Sequence, residues 1–246
     1  MFWEWWQSLF VDMTASSFFN FSFLPKYGEA VIQGVVYTLI LSVVSVLMAV
    51  LPAFLLATMR LSKNNIIRSI SGAYIAVFRS TPLLVQLMLI YYGVFSWIPV
   101  PNFLILGFID ASRFIPGVVA LSLNSSAYVA EIFRAGILAV DHGQMEAARS
   151  LGLSQGQAMK LVILPQAIKN VLPALANEMI TMIKESSVCM VLGMSEIMFT
   201  AQTIAGSTMI SIGPYMIAAF IYFLITYPTS KVIENVERRM RRGDKN

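Results

Sequence analysis

The chain has 246 residues, of which 57% are hydrophobic and 12% are charged, and its formal net charge is +4. So apolar a composition leaves too few polar side chains to cover a water-soluble domain, which excludes that class of protein. Uninterrupted apolar stretches approach or exceed the roughly 20 residues that cross a bilayer as an α-helix, whereas the short alternating segments of a membrane β-barrel are absent. The sequence therefore predicts an all-α, polytopic membrane protein.

Residues 1–30 precede the first long apolar stretch and are predicted to form an N-terminal segment outside the membrane. Glu4 stands among Trp3, Trp5 and Trp6, so this start lacks the basic region that opens a cleaved secretory leader. Indole rings prefer the headgroup level of a bilayer. We therefore expect an amphipathic piece at the membrane interface, with a disordered start as the alternative.

Five stretches of the chain are predicted to span the membrane and together to form a permease domain over residues 31–230. An odd number of crossings places the two termini on opposite sides. The predicted spans are about 31–59, 69–97, 114–140, 171–199 and 209–229.

The distribution of lysine and arginine predicts the orientation, because short cytoplasmic loops are enriched in both. Arg60, Lys63 and Arg68 follow the first span, and residues 231–246 form a basic tail. With five crossings these two regions share one side, which is then the cytoplasmic side. The long loop at residues 141–170 faces that side as well, so the N-terminus is predicted outside and the C-terminus in the cytoplasm.

The long cytoplasmic loop is predicted to fold into two short helices. Gly152 suits the left-handed conformation that ends a helix. Ser154 and Gln157 have the spacing of a capping box, which starts the second helix. Pro165 disfavours helical geometry at the preceding residue, so this helix is predicted to end at Leu164. A rigid pair of cytoplasmic helices is typical of a docking surface.

The same loop carries a spaced set of residues, namely Glu146, Ala147, Ala148, Gly152, Leu164 and Pro165. This set resembles the EAA loop of ABC importer permeases, with Val162 where the family usually has isoleucine. Residues 78–86 and 127–136, together with 177–178 and 184–187, are similar to signatures of the polar amino acid branch of these permeases. The resemblance covers about residues 31–239.

The resemblance implies the fold of a type I ABC importer permease and the uptake of a polar or charged amino acid by alternating access. It implies that the loop around Ala147, Ala148 and Gly152 contains a coupling helix that inserts into a cytoplasmic ATPase, which binds the ATP and Mg. The sequence contains no phosphate-binding loop of the form Gly-x-x-x-x-Gly-Lys-Ser/Thr, so a partner must hydrolyse ATP. No catalytic residue, metal, cofactor or nucleic acid is expected on this chain.

The partners that the resemblance implies are an ATPase dimer, a second permease copy, either identical or similar, and an extracellular amino-acid-binding protein. The implied location is the inner membrane of a bacterial cell. An ion-driven secondary carrier or a channel is the alternative, in which buried charges would relay ions. A membrane-embedded enzyme is a third option that no metal cluster or nucleophile triad supports.

Charged side chains inside the predicted spans cost on the order of 3 kcal/mol each, so they are expected to face protein, water or cargo. Glu131 and Arg134 have the spacing of a structural ion pair on one helix. Glu178 has no basic residue one helical turn away and is predicted to contact the ammonium of the cargo, with a bond to Arg79 as the alternative. That contact modestly favours cationic cargo over glutamine. The predicted path residues, with a gate near the last three, are Glu178, Asn177, Thr181, Met182, Arg79, Lys184, Glu185 and Ser186.

Overall fold

The computed structural model describes residues 20–242. The Trp-rich start and the last residues of the basic tail lie outside these residues. Within them, four helices are long and apolar enough to cross a membrane, and a bent helix pair makes up to five. The predicted all-α membrane fold is therefore confirmed.

The first helix, α1, spans Leu24–Arg60 and begins earlier than the predicted span at residue 31. A proline in its first turn suits a helix start because the missing N–H would have no partner there. Its 37 residues are about 55 Å long, more than the roughly 30 Å of a hydrocarbon core. The helix therefore extends beyond the bilayer core. Its buried small residues, which allow close helix contact, include Ser42, Ser45, Ala49, Ala53 and Ala57.

The predicted second span is a sharply bent pair of helices. Helix α2, Asn65–Ser80, ends before Pro82, and helix α3, Leu83–Met88, continues as a π-helical turn over Leu89–Val94. The two parts meet at 107°. Thr81 is extended, with ψ 145°, as expected for a residue that precedes a proline.

The Gln86 side chain closes this break. Its Nε2 donates to the carbonyl oxygens of Phe78 at 2.8 Å and Thr81 at 3.0 Å. Its Oε1 accepts a hydrogen bond from Asn124 Nδ2 at 2.8 Å. Backbone carbonyls that a broken helix leaves without partners are costly inside a membrane, so Gln86 makes the bend tolerable.

Helix α4, Ala111–Leu138, lies at the centre of the fold, in contact with α1, α2 and α3. A short antiparallel hairpin precedes it, with strand β1, Leu104–Ile105, paired to strand β2, Ile109–Asp110. Asp110 caps α4 by accepting a hydrogen bond from the Ser112 amide at 2.9 Å. The largest apolar core surrounds this helix and includes Tyr37, Leu41, Leu87, Leu121 and Met182.

The second half of the chain begins with two short helices in the loop at residues 141–170. Most of the predicted fourth span, 171–199, lies in a longer helical run that ends at residue 192. A further helix, α8, Ile197–Thr208, stands between this run and the last helix. The elements are α5 His142–Ser150, α6 Gln155–Ala158, a π-helical turn Met159–Ile163, α7 Leu164–Glu185, a 3₁₀ turn Ser186–Leu192, α8 Ile197–Thr208 and α9 Gly213–Arg242.

A buried carboxylate joins the last two helices. Glu196 is fully buried and accepts hydrogen bonds from the amides of Met198 at 2.9 Å and Phe199 at 2.6 Å, which caps α8. It also accepts one from the Tyr222 hydroxyl of α9 at 3.0 Å. Glu196 is not among the residues predicted from the sequence, where an acidic side chain just before an apolar helix is its local signal.

Candidate docking loop and translocation path

The first loop helix, α5, ends at Gly152 as predicted. Gly152 has φ 88°, which is the left-handed region. Its N–H donates to Arg149 O at 3.0 Å, and the Leu153 N–H donates to Ala148 O at 3.2 Å. These two bonds form a Schellman motif, in which glycine avoids the steric penalty that a Cβ would introduce.

The second loop helix, α6, begins with the predicted capping box. The Ser154 amide donates to Gln157 Oε1 at 2.9 Å, and the Gln157 amide donates to Ser154 Oγ at 3.3 Å. The two bonds satisfy amides that the start of a helix otherwise leaves without partners. The turn between α5 and α6 is therefore held at both ends by local hydrogen bonds.

The predicted end of the second loop helix at Leu164 is wrong. Leu164 is helical, with φ −60° and ψ −42°, and its N–H donates to Met159 O. The wider π-helical turn before Pro165 accommodates the proline ring, which would otherwise clash with a carbonyl one turn back. Helix α6 thus runs through this turn into α7, and residues Gln155–Leu192 form one helical run.

The EAA-like residues face in two directions. Glu146, Ala147 and Gly152 are exposed, whereas Ala148 is buried, with 4% of its surface accessible. Leu151 is 86% exposed, beside Gly152 at the tip of the loop. A leucine so exposed at a loop tip is suited to a partner protein, and it is not among the residues predicted from the sequence.

Glu178 lies on α7 against α4 and is 9% exposed. Its Oε1 accepts a hydrogen bond from Ser125 Oγ at 2.8 Å. No Lys or Arg within the described residues lies within 4.0 Å of this carboxylate. The alternative bond to Arg79 is therefore not formed, and the Arg79 guanidinium instead lies over the Tyr128 ring at 5.4 Å from its centre. No local sequence pattern points to Ser125 as the partner.

The predicted path residues on α7 divide between two faces of the helix. Met182 and Ser186 are fully buried, on the same side as Glu178. Asn177 and Lys184 are exposed, with the half-buried Thr181 between them. The structure therefore separates the predicted path residues into two groups. The accessible group, Asn177, Thr181 and Lys184, forms an open polar stripe.

The two ends of the polar stripe on α7 line separate clefts. Asn177 lines a cleft of about 610 Å³, together with Asn170 and Glu234. Lys184 lines another, of about 570 Å³, whose walls are mostly apolar. Glu185 is half-buried next to the second cleft. A solute that moves along this face would pass amide, hydroxyl and ammonium groups in turn.

Glu131 and Arg134 form an ion pair, with Arg134 Nη2 2.7 Å and Nε 2.9 Å from Glu131 Oε2. Arg60 Nε is 4.0 Å from the other oxygen of the same carboxylate. This group lies between α1 and α4 and links the end of α1 to the helix that leads into the docking loop. Within residues 20–242, no three His, Cys, Asp or Glu side chains are grouped as a metal site requires.

The family model for binding-protein-dependent transport system inner membrane components matches residues 49–242. The chain belongs to this family. The chain is 39% identical over 214 residues to the arginine transport system permease protein ArtQ of Bacillus subtilis, a match that covers 87% of this chain and 94% of that protein. It is 38% identical over 218 residues to a protein of Rickettsia typhi provisionally named as the glutamine permease GlnP, covering 89% and 95% of the two chains.

Solved structures agree with this membership. A chain from an amino acid ABC transporter crystallised with histidines has a TM-score of 0.80 and 45% identity, covering 89% of this chain and 98% of that one. A chain of the inward-facing MetNI methionine transporter has a TM-score of 0.71 at 18% identity, covering 87% and 98%, and shows a common fold.

These matches confirm the predicted membership of the amino acid permeases of ABC importers. The chain is a multi-pass inner-membrane permease subunit. As a member of this family it works with an ATPase and a substrate-binding protein, and nucleotide is bound by the partner ATPase. The comparisons favour this function over an ion-driven carrier.

Proposed function

We propose that this permease carries a cationic amino acid, and that Glu178 contacts the ammonium of the cargo. The proposal depends on a buried carboxylate whose hydrogen-bond donor, among residues 20–242, is the hydroxyl of Ser125. Such a group favours a cation that can replace this weak partner. The name of the Bacillus subtilis relative assigns it to arginine, and the solved amino acid transporter was crystallised with histidines, which supports a cationic cargo. The Rickettsia typhi relative is named for glutamine, so the preference over glutamine depends on Glu178.

The proposed path follows the polar stripe at Asn177, Thr181 and Lys184, from one cleft to the other. In the state described here Glu178 is closed off beside Ser125, and a shift of α7 relative to α4 would break that bond and open the carboxylate to the stripe. Alternating access between two such arrangements is the usual action of a bistable helix contact. Met182, Glu185 and Ser186 stay predicted members of the path. Arg79, which the sequence also predicts on the path, lines a different pocket and is left out of the proposed path.

The proposed coupling device is the tip of the docking loop, formed by Glu146, Ala147, Leu151 and Gly152. Exposure of Leu151 supports a contact with an apolar cleft on the ATPase. Because α6 continues into α7, a movement of the tip is transmitted along one helical run to Glu178. Ala148 supports the tip from inside, and Leu164 and Pro165 form the junction with α7.

The proposed assembly has two permease copies, identical or similar, on two ATPase subunits, with an amino-acid-binding protein outside. The N-terminus is proposed to lie outside and the C-terminus in the cytoplasm, as the basic loop at Arg60 to Arg68 and the basic tail favour. ATP and Mg are bound by the ATPase subunits.

Uptake in proteoliposomes tests this function. The complete complex is reconstituted with its binding protein, and uptake of labelled arginine, histidine and glutamine is measured with and without ATP, and with an ionophore that collapses ion gradients. We expect ATP-dependent uptake that the ionophore does not affect, with arginine or histidine preferred. The Glu178→Gln variant should lose this uptake while its expression is normal. Uptake that persists without ATP and follows an ion gradient would overturn the proposal.

A further inference from the structure

A second group of charged residues lies apart from the path, in a pocket between α1, α2 and α4. The pocket has a volume of about 470 Å³, and Arg60, Arg79, Tyr128 and Glu131 line it. Gly72 also lines it, and a Cβ at this position would lie 3.1 Å from Arg60 Nη1. Because Gly72 has no Cβ, the Arg60 guanidinium can occupy this space.

The positive charge of this pocket exceeds its negative charge. The Glu131 carboxylate is bound by Arg134 at 2.7 Å and lies 4.0 Å from Arg60 Nε. Arg60 Nε is buried and donates no hydrogen bond in the described part of the chain. The Arg79 guanidinium makes a cation–π contact with the Tyr128 ring. No carboxylate of residues 20–242 lies within 4.0 Å of this guanidinium. Arg60 and Arg134 thus share the Glu131 carboxylate, whereas Arg79 has no carboxylate partner among the described residues.

Arg79 is exposed and the Arg60 side chain is 39% exposed, so this excess of cationic charge lies at an open pocket on the protein surface. Clustered arginines at a membrane surface attract anionic headgroups. Guanidinium groups bind phosphate oxygens through paired N–H donors, and an arginine with an unused Nε–H is suited to this geometry. The pocket therefore suits an anion with several acceptor oxygens, and phosphate chemistry fits.

The position of the pocket indicates the source of the phosphate. Arg60 is the last residue of α1, next to the basic loop that marks the cytoplasmic side. Apolar side chains adjoin the pocket: Ala76 lines it, and the neighbouring Val77 is 58% exposed. A cationic pocket beside an exposed apolar surface in this leaflet fits a headgroup with its acyl chains, whereas a soluble anion would need no apolar neighbour. We propose that Arg60 and Arg79 bind the phosphate of an anionic phospholipid of the cytoplasmic leaflet.

Lipid retention by the purified, full-length permease in its complex tests this site. Native mass spectrometry after detergent exchange would measure how much added phosphatidylglycerol and phosphatidylethanolamine remain bound, with glycerol phosphate as a soluble competitor. The matched control is Arg68→Gln, because Arg68 is a nearby arginine that binds Asn65 at 2.6 Å and does not line the pocket.

We expect the wild type and Arg68→Gln to retain phosphatidylglycerol over phosphatidylethanolamine. Arg60→Gln and Arg79→Gln should each weaken that retention about tenfold, within the range for hydrogen bonds to a charged group. Arg79→Lys, which keeps the charge, should retain the preference for the anionic lipid. Glu131→Gln should strengthen retention, because it removes the carboxylate that competes with phosphate.

Three results would overturn the proposal. The first is equal retention of both lipids by the wild type. The second is a response of Arg79→Gln that matches the Arg68→Gln control, or weaker retention in Glu131→Gln, which would indicate a structural ion-pair group instead. The third is displacement of phosphatidylglycerol by glycerol phosphate, which would assign the pocket to a soluble anion.

Discussion

Glu178 on α7 accepts a 2.8 Å hydrogen bond from Ser125 on α4, and both side chains are buried. The bond connects the helix that continues from the docking loop to the central helix of the fold. A carboxylate with a hydroxyl as its partner is satisfied less strongly than one in an ion pair. The relationship is therefore a structural contact, and under the proposed function it is also the place where a cationic cargo would compete with the serine hydroxyl.

Replacement of Ser125 by alanine should destabilise the cargo-free protein and increase the stabilisation that bound cargo provides. The loss of the hydroxyl leaves the buried carboxylate without this donor, at a cost of about 1–3 kcal/mol. The melting temperature in detergent should fall, and added arginine should restore more of it than in the wild type. Ser122→Ala is the control, because Ser122 is a buried serine of the same helix that bonds only to Val118 O. Equal responses of the two variants to arginine would argue against a cargo role for Glu178.

Replacement of Gly152 by valine should uncouple ATP hydrolysis from transport while membrane insertion stays normal. The left-handed backbone at φ 88° is costly for a β-branched residue, so the loop tip would change shape. Gly156→Val is the matched control, because neither glycine has atoms within 4 Å of an added Cβ and only Gly152 has a positive φ. Uptake and ATPase activity of the reconstituted complex measure the effect. Unimpaired uptake by Gly152→Val would contradict the docking role of this tip.

Replacement of Leu151 by aspartate should weaken association with the ATPase without a loss of folding. The side chain is 86% exposed, so the change removes no internal packing. A charge in an apolar cleft should lower the affinity by about tenfold or more. Co-purification of the ATPase measures this, with Leu106→Asp as the control, since Leu106 is 68% exposed in the hairpin before α4. If equal amounts of the ATPase co-purify with both variants, the loop tip does not contact the ATPase.

Replacement of Gln86 by leucine should destabilise the bend between α2 and α3. It removes the donors to Phe78 O and Thr81 O and the acceptor for Asn124. Each buried group that loses its partner costs about 1–3 kcal/mol, so the melting temperature should fall markedly. Gln33→Leu is the control, because its amide makes an exposed bond to Glu29. A similar melting temperature for the two variants would show that the break is held by other contacts.

The local structure of the docking loop could be read from the sequence because the interactions that form it are short in range. Gly152 ends α5 through bonds to residues within one turn, and Ser154 and Gln157 cap α6 through each other. The helix end predicted at Leu164 is wrong because it considers only the local effect of Pro165. The usual effect of this proline on Leu164 is local, but the preceding π-helical turn offered another way to accommodate it.

The apolar stretches and the residues of the EAA-like loop were sufficient to predict a membrane permease of this family, since both depend on composition and spacing. The partners of the buried polar groups depended on the tertiary structure. Ser125 and Glu178 are 53 residues apart, and Asn124 and Gln86 are 38 apart, so only the packing of helices around α4 brings them together. Hydropathy specifies which segments enter the membrane, but it carries no information on which helix faces meet, and those faces decide where a buried charge finds its partner.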